Sequence, residues 1–380
     1  MTDLAGTTTR SLAPLFRSFP FGARELANRV VMAPMTRTHA PQQTPGPDVT
    51  AYYRRRAEGG TGLIITEGTN PDHPAASVSS RVPAFFGESP LAGWRHVVDE
   101  VHAAGAAIAP QLWHTGSMRL SRTGPPNPEL PGFAPSAIPH PSHPEADAEI
   151  PHAMTHADID EMIASFARAA GVAREIGFDG VELHGAHGYL VDAFSWTATN
   201  QRTDEYGGSL DARTRFATEL VTAVRTAVGQ DFPLIFRFSQ WKRGAYDHKV
   251  ATTPAELDRW LMPLVEAGID MLHASTRRLD EPEFDGSGLN LAGWAKKITG
   301  LPTITVGSVG LDIDYVMSRE GSDARKVGMD RLLERLERDE FDLVAVGRAL
   351  LADPAWAAKL RDGQEADIVG FEREHLTRYY

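Results

Sequence analysis

Residues 181–189 read VELHGAHGY: two histidines three apart and a tyrosine two further on, directly after an apolar run. Those residue types fit three kinds of chemistry: a metal site, an acid/base pair, or ordinary packing. Zinc held by helical histidines needs four-residue spacing and a third ligand, but this HxxH follows a strand pattern and no carboxylate is placed to complete a set. No metal is expected here. Imidazole N–H groups are suited to holding a substrate oxygen that gains negative charge, and a phenol with a pKa of about 10 to protonating a carbanion-like centre. For either histidine alone, packing is the simpler reading. What decides is whether the chain brings other chemistry to the same place.

Eight short apolar, β-branched runs recur: VVMAPM (30–35), GLIITEG (62–68), AAIAPQLW (106–113), GVELHG (180–185), PLIFRFS (233–239), DMLHAST (270–276), PTITVGS (302–308) and DLVAVGR (342–348). They are nearly continuous rather than alternating, as in parallel strands buried on both faces. Helical spacing fills the gaps. SPLAGWRHVVDEVHAAG (89–105) has Ser89 as its candidate cap, and ADIDEMIASFARAAGVAREIG (157–177) has Thr155 ahead of it and Gly177 as a stop. Strand then helix, eight times, predicts a single-domain (β/α)8 TIM barrel over residues 15–362, with a flexible 1–14 segment and a 363–380 tail. A doubly wound open sheet competes, but VMAPMTRTHAPQQ lacks the glycine-rich first turn. Nine prolines from Ser121 to Pro151 mark a long stiffened loop after the third strand, above the catalytic face. The charged stretch 318–342 reads as an extended helix or an added surface element.

Active sites in such barrels form at the C-terminal strand ends. The polar residues there are Thr36, Gln111, Trp113, His184, His187, Tyr189, Arg237, Gly307, Ser308, Gly347 and Arg348. Glycines after strands seven and eight with an arginine suit a phosphate; a strand-ending glycine and a surface ion pair are the competing reading. Arg237 has inward parity in an apolar run, so its guanidinium demands an anion or several acceptors, or a structural ion pair. The Gln111 amide is suited to a heterocycle edge or to a core hydrogen bond.

The net charge of −12 and the lack of a basic stripe argue against nucleic acid as a partner. The opening MTDLAGTTTR has no apolar segment, and no later run approaches the ~20 residues needed to span a bilayer, so a cytoplasmic location without membrane contact is expected. The absence of cysteine excludes thiolate catalysis and Cys-ligated zinc or iron–sulfur clusters.

Several segments together resemble the old yellow enzyme family of FMN-dependent ene-reductases. The likeness runs from about Leu15 to Leu360. Its strongest parts are GFDGVELHGAHGYLVDAF (177–194) and NQRTDEYGGSLDARTRF (200–216); NRVVMAPMTR (28–37), APQLWH (109–114) and VGRALLADP (346–354) support them. The resemblance implies tight, non-covalent FMN with Pro34, Met35 and Thr36 against the flavin, and Gly68 and Gln111 contacting the isoalloxazine. It also implies Arg237 near N1 and the C2 oxygen, and Gly307, Ser308, Gly347 and Arg348 on the phosphate. NADPH or NADH would be the reductant. The substrate would be a small activated alkene, an α,β-unsaturated carbonyl or nitro compound, held by His184 and His187 beside Trp113 and protonated by Tyr189.

The threonine at position 36 and the His/His pair do not fix a subclass. SQWKRGAY (239–246) and the proline-rich loop are expected to shape selectivity. The tail TRYY resembles family tails that reach a neighbouring subunit in a homo-oligomer; a frayed terminus is the competing expectation. Rival activities are a dienoyl-CoA or amine-oxidising relative, which zero cysteine and a chain ending soon after strand eight argue against, and a non-redox phosphate-binding isomerase or aldolase barrel. A flavin carrier without turnover is the third.

Overall fold

All eight apolar runs form strands: β1 (Val30–Met32), β2 (Leu63–Thr69), β3 (Ala107–Leu112), β4 (Val181–His187), β5 (Leu234–Lys242), β6 (Met271–Ser275), β7 (Thr303–Val306) and β8 (Leu343–Val346). Each lies parallel to the next in sequence order, and β8 returns to β1, which closes the barrel and excludes the open sheet. The computed structural model describes residues 8–380, so residues 1–7 of the expected flexible segment lie outside the described residues. Thr8 Oγ1 donates to Glu365, and Thr9 Oγ1 and the Arg10 amide donate to Asp330.

Alternate residues of each strand face the helices or the interior. On β5, Leu234, Phe236 and Phe238 join the outer core with Phe166, Phe216 and Leu261 from the helices His156–Glu175, Leu210–Val228 and Pro254–Glu266. Ile235 instead joins a separate inner cluster with Leu63, Met271, Ile304 and Leu343, at the strands' N-terminal ends. An antiparallel hairpin, Phe19–Phe21 with Arg24–Leu26, adds Phe19, Phe21 and Leu26 to that cluster and plugs the barrel floor. Inward parity for Arg237 follows directly from that of Ile235.

β5 is the longest strand, and its register against β4 slips between Gly185 and His187, so that His187 pairs with Lys242. Such a bulge re-aims side chains at a barrel rim. The helix before β4 is anchored by a capping box: Thr155 accepts from the Asp158 amide and the Asp158 carboxylate from the Thr155 amide. That arrangement contributes about 1 kcal/mol.

Three expectations are corrected. Ser89 does not cap its helix, which starts at Glu88 behind Gly87; Ser89 lies inside the first turn. Of the two expectations for the charged stretch, an extended helix or an added surface element, the single extended helix is excluded. Gly321, at φ +110°, ends Tyr315–Glu320, and a second helix, Asp330–Glu337, forms after residues 321–329. The tail is not frayed. The Tyr379 ring stacks between His39 at 3.9 Å and Tyr52 at 4.7 Å, and Arg37 donates to the carbonyls of His375, Leu376 and Arg378.

Candidate active site

The end of β4 carries the histidines and the following turn carries Tyr189. Ring centroids lie 5.0 Å apart for His184 and His187 and 5.1 Å for His184 and Tyr189, each pair near-perpendicular. The turn is held from four sides. The His187 amide donates to Ser239 Oγ and its carbonyl accepts from the Arg243 amide. The Gly188 amide donates to Asp192 at 2.7 Å, and the Gly188 carbonyl bonds His140 Nε2 at 3.2 Å. These contacts hold His187 at φ +67°, a left-handed conformation rare for a residue with a Cβ. His140 comes from the proline-rich loop, so that loop braces the turn. Asp192 is itself fixed by Lys242 in a fully buried ion pair at 2.5 Å. Burial pushes the Asp192 carboxyl up and the Lys242 ammonium down, and each opposes the shift in the other.

Both histidines are uncharged near neutrality. Desolvation, then Arg237, pushes each well below the ordinary imidazole value. His184 Nδ1 accepts from the Ala186 amide at 3.3 Å, which leaves its proton on Nε2. His187 Nε2 lies 2.8 Å from Ser275 Oγ, and its ring stacks on Trp241 at 4.3 Å. Desolvation raises the Tyr189 phenol, opposed by the neighbouring Arg243, so the phenol keeps its proton. Trp113 is buried, with its ring edge-on to Tyr189 at 4.9 Å. Gly68 accommodates it: a Cβ there would meet the indole at 2.5 Å.

Beneath His184 lies a polar layer. Register sets His184 beside Arg237, Arg237 beside His273, and Gln111 beside Glu182. Arg237 is buried, and burial lowers its pKa. Its Nη2 donates to Ser275 Oγ at 3.2 Å, its Nε has no partner, and among the described residues no carboxylate lies within ion-pair distance. A buried guanidinium so poorly matched fits an anionic group above it. Gln111 Nε2 donates to Glu182 at 2.7 Å, which turns its carbonyl away from Glu182.

At the other side of the mouth, Gly307 (φ +154°) and Ser308 (φ +51°) turn the chain after β7. Arg348, whose pKa burial lowers to about 10, donates to Ser308 Oγ and the carbonyls of Ile313 and Asp314. Among the described residues it makes no ion pair, and its acceptors there are neutral. Gly347 packs beside Met35, where an added Cβ would meet Met35 Sδ at 3.5 Å, an ordinary van der Waals contact. Pro34 and Met35 are half-buried and Thr36 exposed on the segment after β1.

Sequence reading missed Glu182, Ser275 and His273, which complete the layer, and His140. Glu182 and His273 each carried a usable signal, a polar residue at inward parity inside an apolar run. Among the described residues, the one group of three clustered metal-ligating side chains is His156, Asp204 and Glu205, on the surface and apart from the HxxH. No helix of the described residues is long and apolar enough to cross a membrane.

The profile of the NADH:flavin oxidoreductase / NADH oxidase family matches residues 14–367. The chain is 34% identical over 366 residues to the NADH oxidase of Thermoanaerobacter brockii, covering 93% of this chain and 52% of that protein, so it spans about half that relative's length. It is 33% identical over 370 residues to 12-oxophytodienoate reductase 7 of Oryza sativa subsp. japonica, covering 92% of this chain and 88% of that one. Among solved structures, Old Yellow Enzyme from Pichia sp. AKU4542 superposes with a TM-score of 0.80 at 26% identity, covering 97% of this chain and 92% of that one.

Proposed function

This chain belongs to the NADH:flavin oxidoreductase / NADH oxidase family, the old yellow enzyme group of flavin oxidoreductases, and on that premise we propose that it is an FMN-dependent, NAD(P)H-oxidising ene-reductase acting on alkenes conjugated to a carbonyl or nitro group. The observation that carries the reading is Arg237, a buried cation that no carboxylate of the described residues reaches as an ion pair, beside His184 in register. In this reading Arg237 and Gln111 hold the pyrimidine edge of FMN. Pro34, Met35, Thr36 and Gly68 line its ring, and Gly307, Ser308, Gly347 and Arg348 hold its phosphate.

When bound, FMN supplies the hydride that an alkene β-carbon accepts, having been charged by NADPH or NADH. The residues supply the rest. His184 Nε2–H and the His187 ring hold the carbonyl or nitro oxygen and polarise the double bond. Their neutrality matters, because a charged imidazole would also hold anions in the ground state. Tyr189 keeps its phenolic proton and delivers it to the α-carbon, with Arg243 placed to offset the charge left behind. Trp113 and Trp241 wall the cavity and exclude water. A homo-oligomeric state and a cytoplasmic location are further parts of the proposal.

The test is an absorption spectrum of the purified protein followed by anaerobic titration with NADPH or NADH and then 2-cyclohexenone. The expected result is a flavin spectrum bleached by the nucleotide and restored by the enone. Failure to bind added FMN, or a bleached flavin that the enone leaves unchanged, would contradict the reading.

A further inference from the structure

Glu182 lies on β4 two residues before His184, fully buried, and accepts two hydrogen bonds. Gln111 Nε2 reaches one oxygen at 2.7 Å and His273 Nδ1 the other at 2.6 Å. A carboxylate offers acceptors only, so each partner's orientation is forced. Gln111 must turn its amine toward Glu182 and its carbonyl away. His273 must carry its proton on Nδ1, which leaves Nε2 with a lone pair and no partner. Burial outweighs the carboxylate and lowers the His273 pKa, so the ring is neutral, and Glu182 is the acidic side chain that both Gln111 and His273 hydrogen-bond. The positive charge is that of Arg237, one strand over and opposite both His184 and His273 in register.

We propose that Glu182, braced by His273, is a positioning residue that sets the hydrogen-bonding face and the net charge presented to the flavin by Gln111 and Arg237. This rests on the reading that FMN lies against those two residues. The imide N–H of a flavin needs an acceptor, and a carboxylate at 182 guarantees that Gln111 offers its carbonyl. A neutral amide at 182 would accept either orientation of Gln111. The carboxylate also offsets Arg237. Without it an uncompensated guanidinium would face the ring edge where negative charge accumulates on reduction. Glu182 therefore holds the reduction potential below the value that Arg237 alone would impose, and keeps the reduced flavin a ready hydride donor.

The test compares the midpoint potential and the FMN dissociation constant of the parent holoenzyme with Glu182→Gln and Glu182→Asp. In Glu182→Gln the affinity for reduced over oxidised FMN should rise at least tenfold, which for a two-electron couple is a positive shift of about 30 mV. Glu182→Asp, which keeps the charge, should stay near the parent. Leu343→Ala in the barrel floor, whose register neighbour is Ile304, serves as the structural control and should lower thermal stability without moving the potential. Should Glu182→Gln fail to fold, His273→Leu, which removes the ring donor and so weakens the carboxylate's hold on its charge, must shift the potential in the same direction by less. A parent protein that binds no FMN would overturn the functional reading. A parent that binds FMN, with Glu182→Gln at an unchanged potential, would overturn this inference alone.

Discussion

The floor and the mouth of this barrel are built by the same eight strands, a few residues apart, yet they obey opposite rules. At the floor, inward residues are Leu63, Ile235, Met271, Ile304 and Leu343, sealed by Phe19, Phe21 and Leu26. Two positions further along the same strands, the inward residues become Arg237 and His273, with Gln111 and Glu182 beside them. These floor side chains are apolar and contribute stability by burial. The mouth spends that stability. It buries a guanidinium with one hydroxyl partner, an imidazole nitrogen with none, and a histidine at φ +67°. Unsatisfied buried groups of this kind cost about 1–3 kcal/mol each. They persist where a ligand or a reaction completes them.

Substitutions on either side separate the two roles. Leu343→Ala empties part of the floor and should cost about 2–5 kcal/mol of unfolding free energy. FMN affinity of the folded protein should be unchanged; chemical denaturation and a flavin titration read both quantities. The mouth should respond in the reverse sense. Arg237→Met replaces a buried charge that makes one side-chain hydrogen bond and no direct ion pair with an apolar chain of similar length, so the apoprotein should lose no more than about 1 kcal/mol. Its FMN affinity should collapse. A large loss of apoprotein stability in Arg237→Met would show that the guanidinium is a structural member of the core, and the contrast between floor and mouth would fail.

That contrast also explains what was legible in the sequence. Parallel strands covered on both sides must be apolar almost throughout, so the eight runs stood out and their order predicted the barrel. Arg237 was legible because a charge at inward parity has few explanations. Glu182 and His273 interrupt their runs in the same way, but their meaning lies in each other. The pairings of Gln111 with Glu182 and Arg237 with His273 are matters of strand register, which one sequence does not show. His140 lies 48 residues from the Gly188 carbonyl it bonds, across a loop without periodicity. The tail deceived for a related reason: TRYY has no pattern of its own, and its order comes from Arg37, Tyr52 and His39, far away in the chain. Ser89 failed as a cap because glycine, with a positive φ at position 87, made the turn two residues earlier.

The most direct test of the division of labour in VELHGAHGY separates hydride supply from protonation. In Tyr189→Phe, stopped-flow absorbance should show flavin reduction by NADPH at the parent rate, while its reoxidation by 2-cyclohexenone slows by about 10²–10⁴-fold, the usual contribution of a positioned general acid. If both half-reactions slow equally, or if neither does, Tyr189 is not the proton donor and the account of this site is wrong.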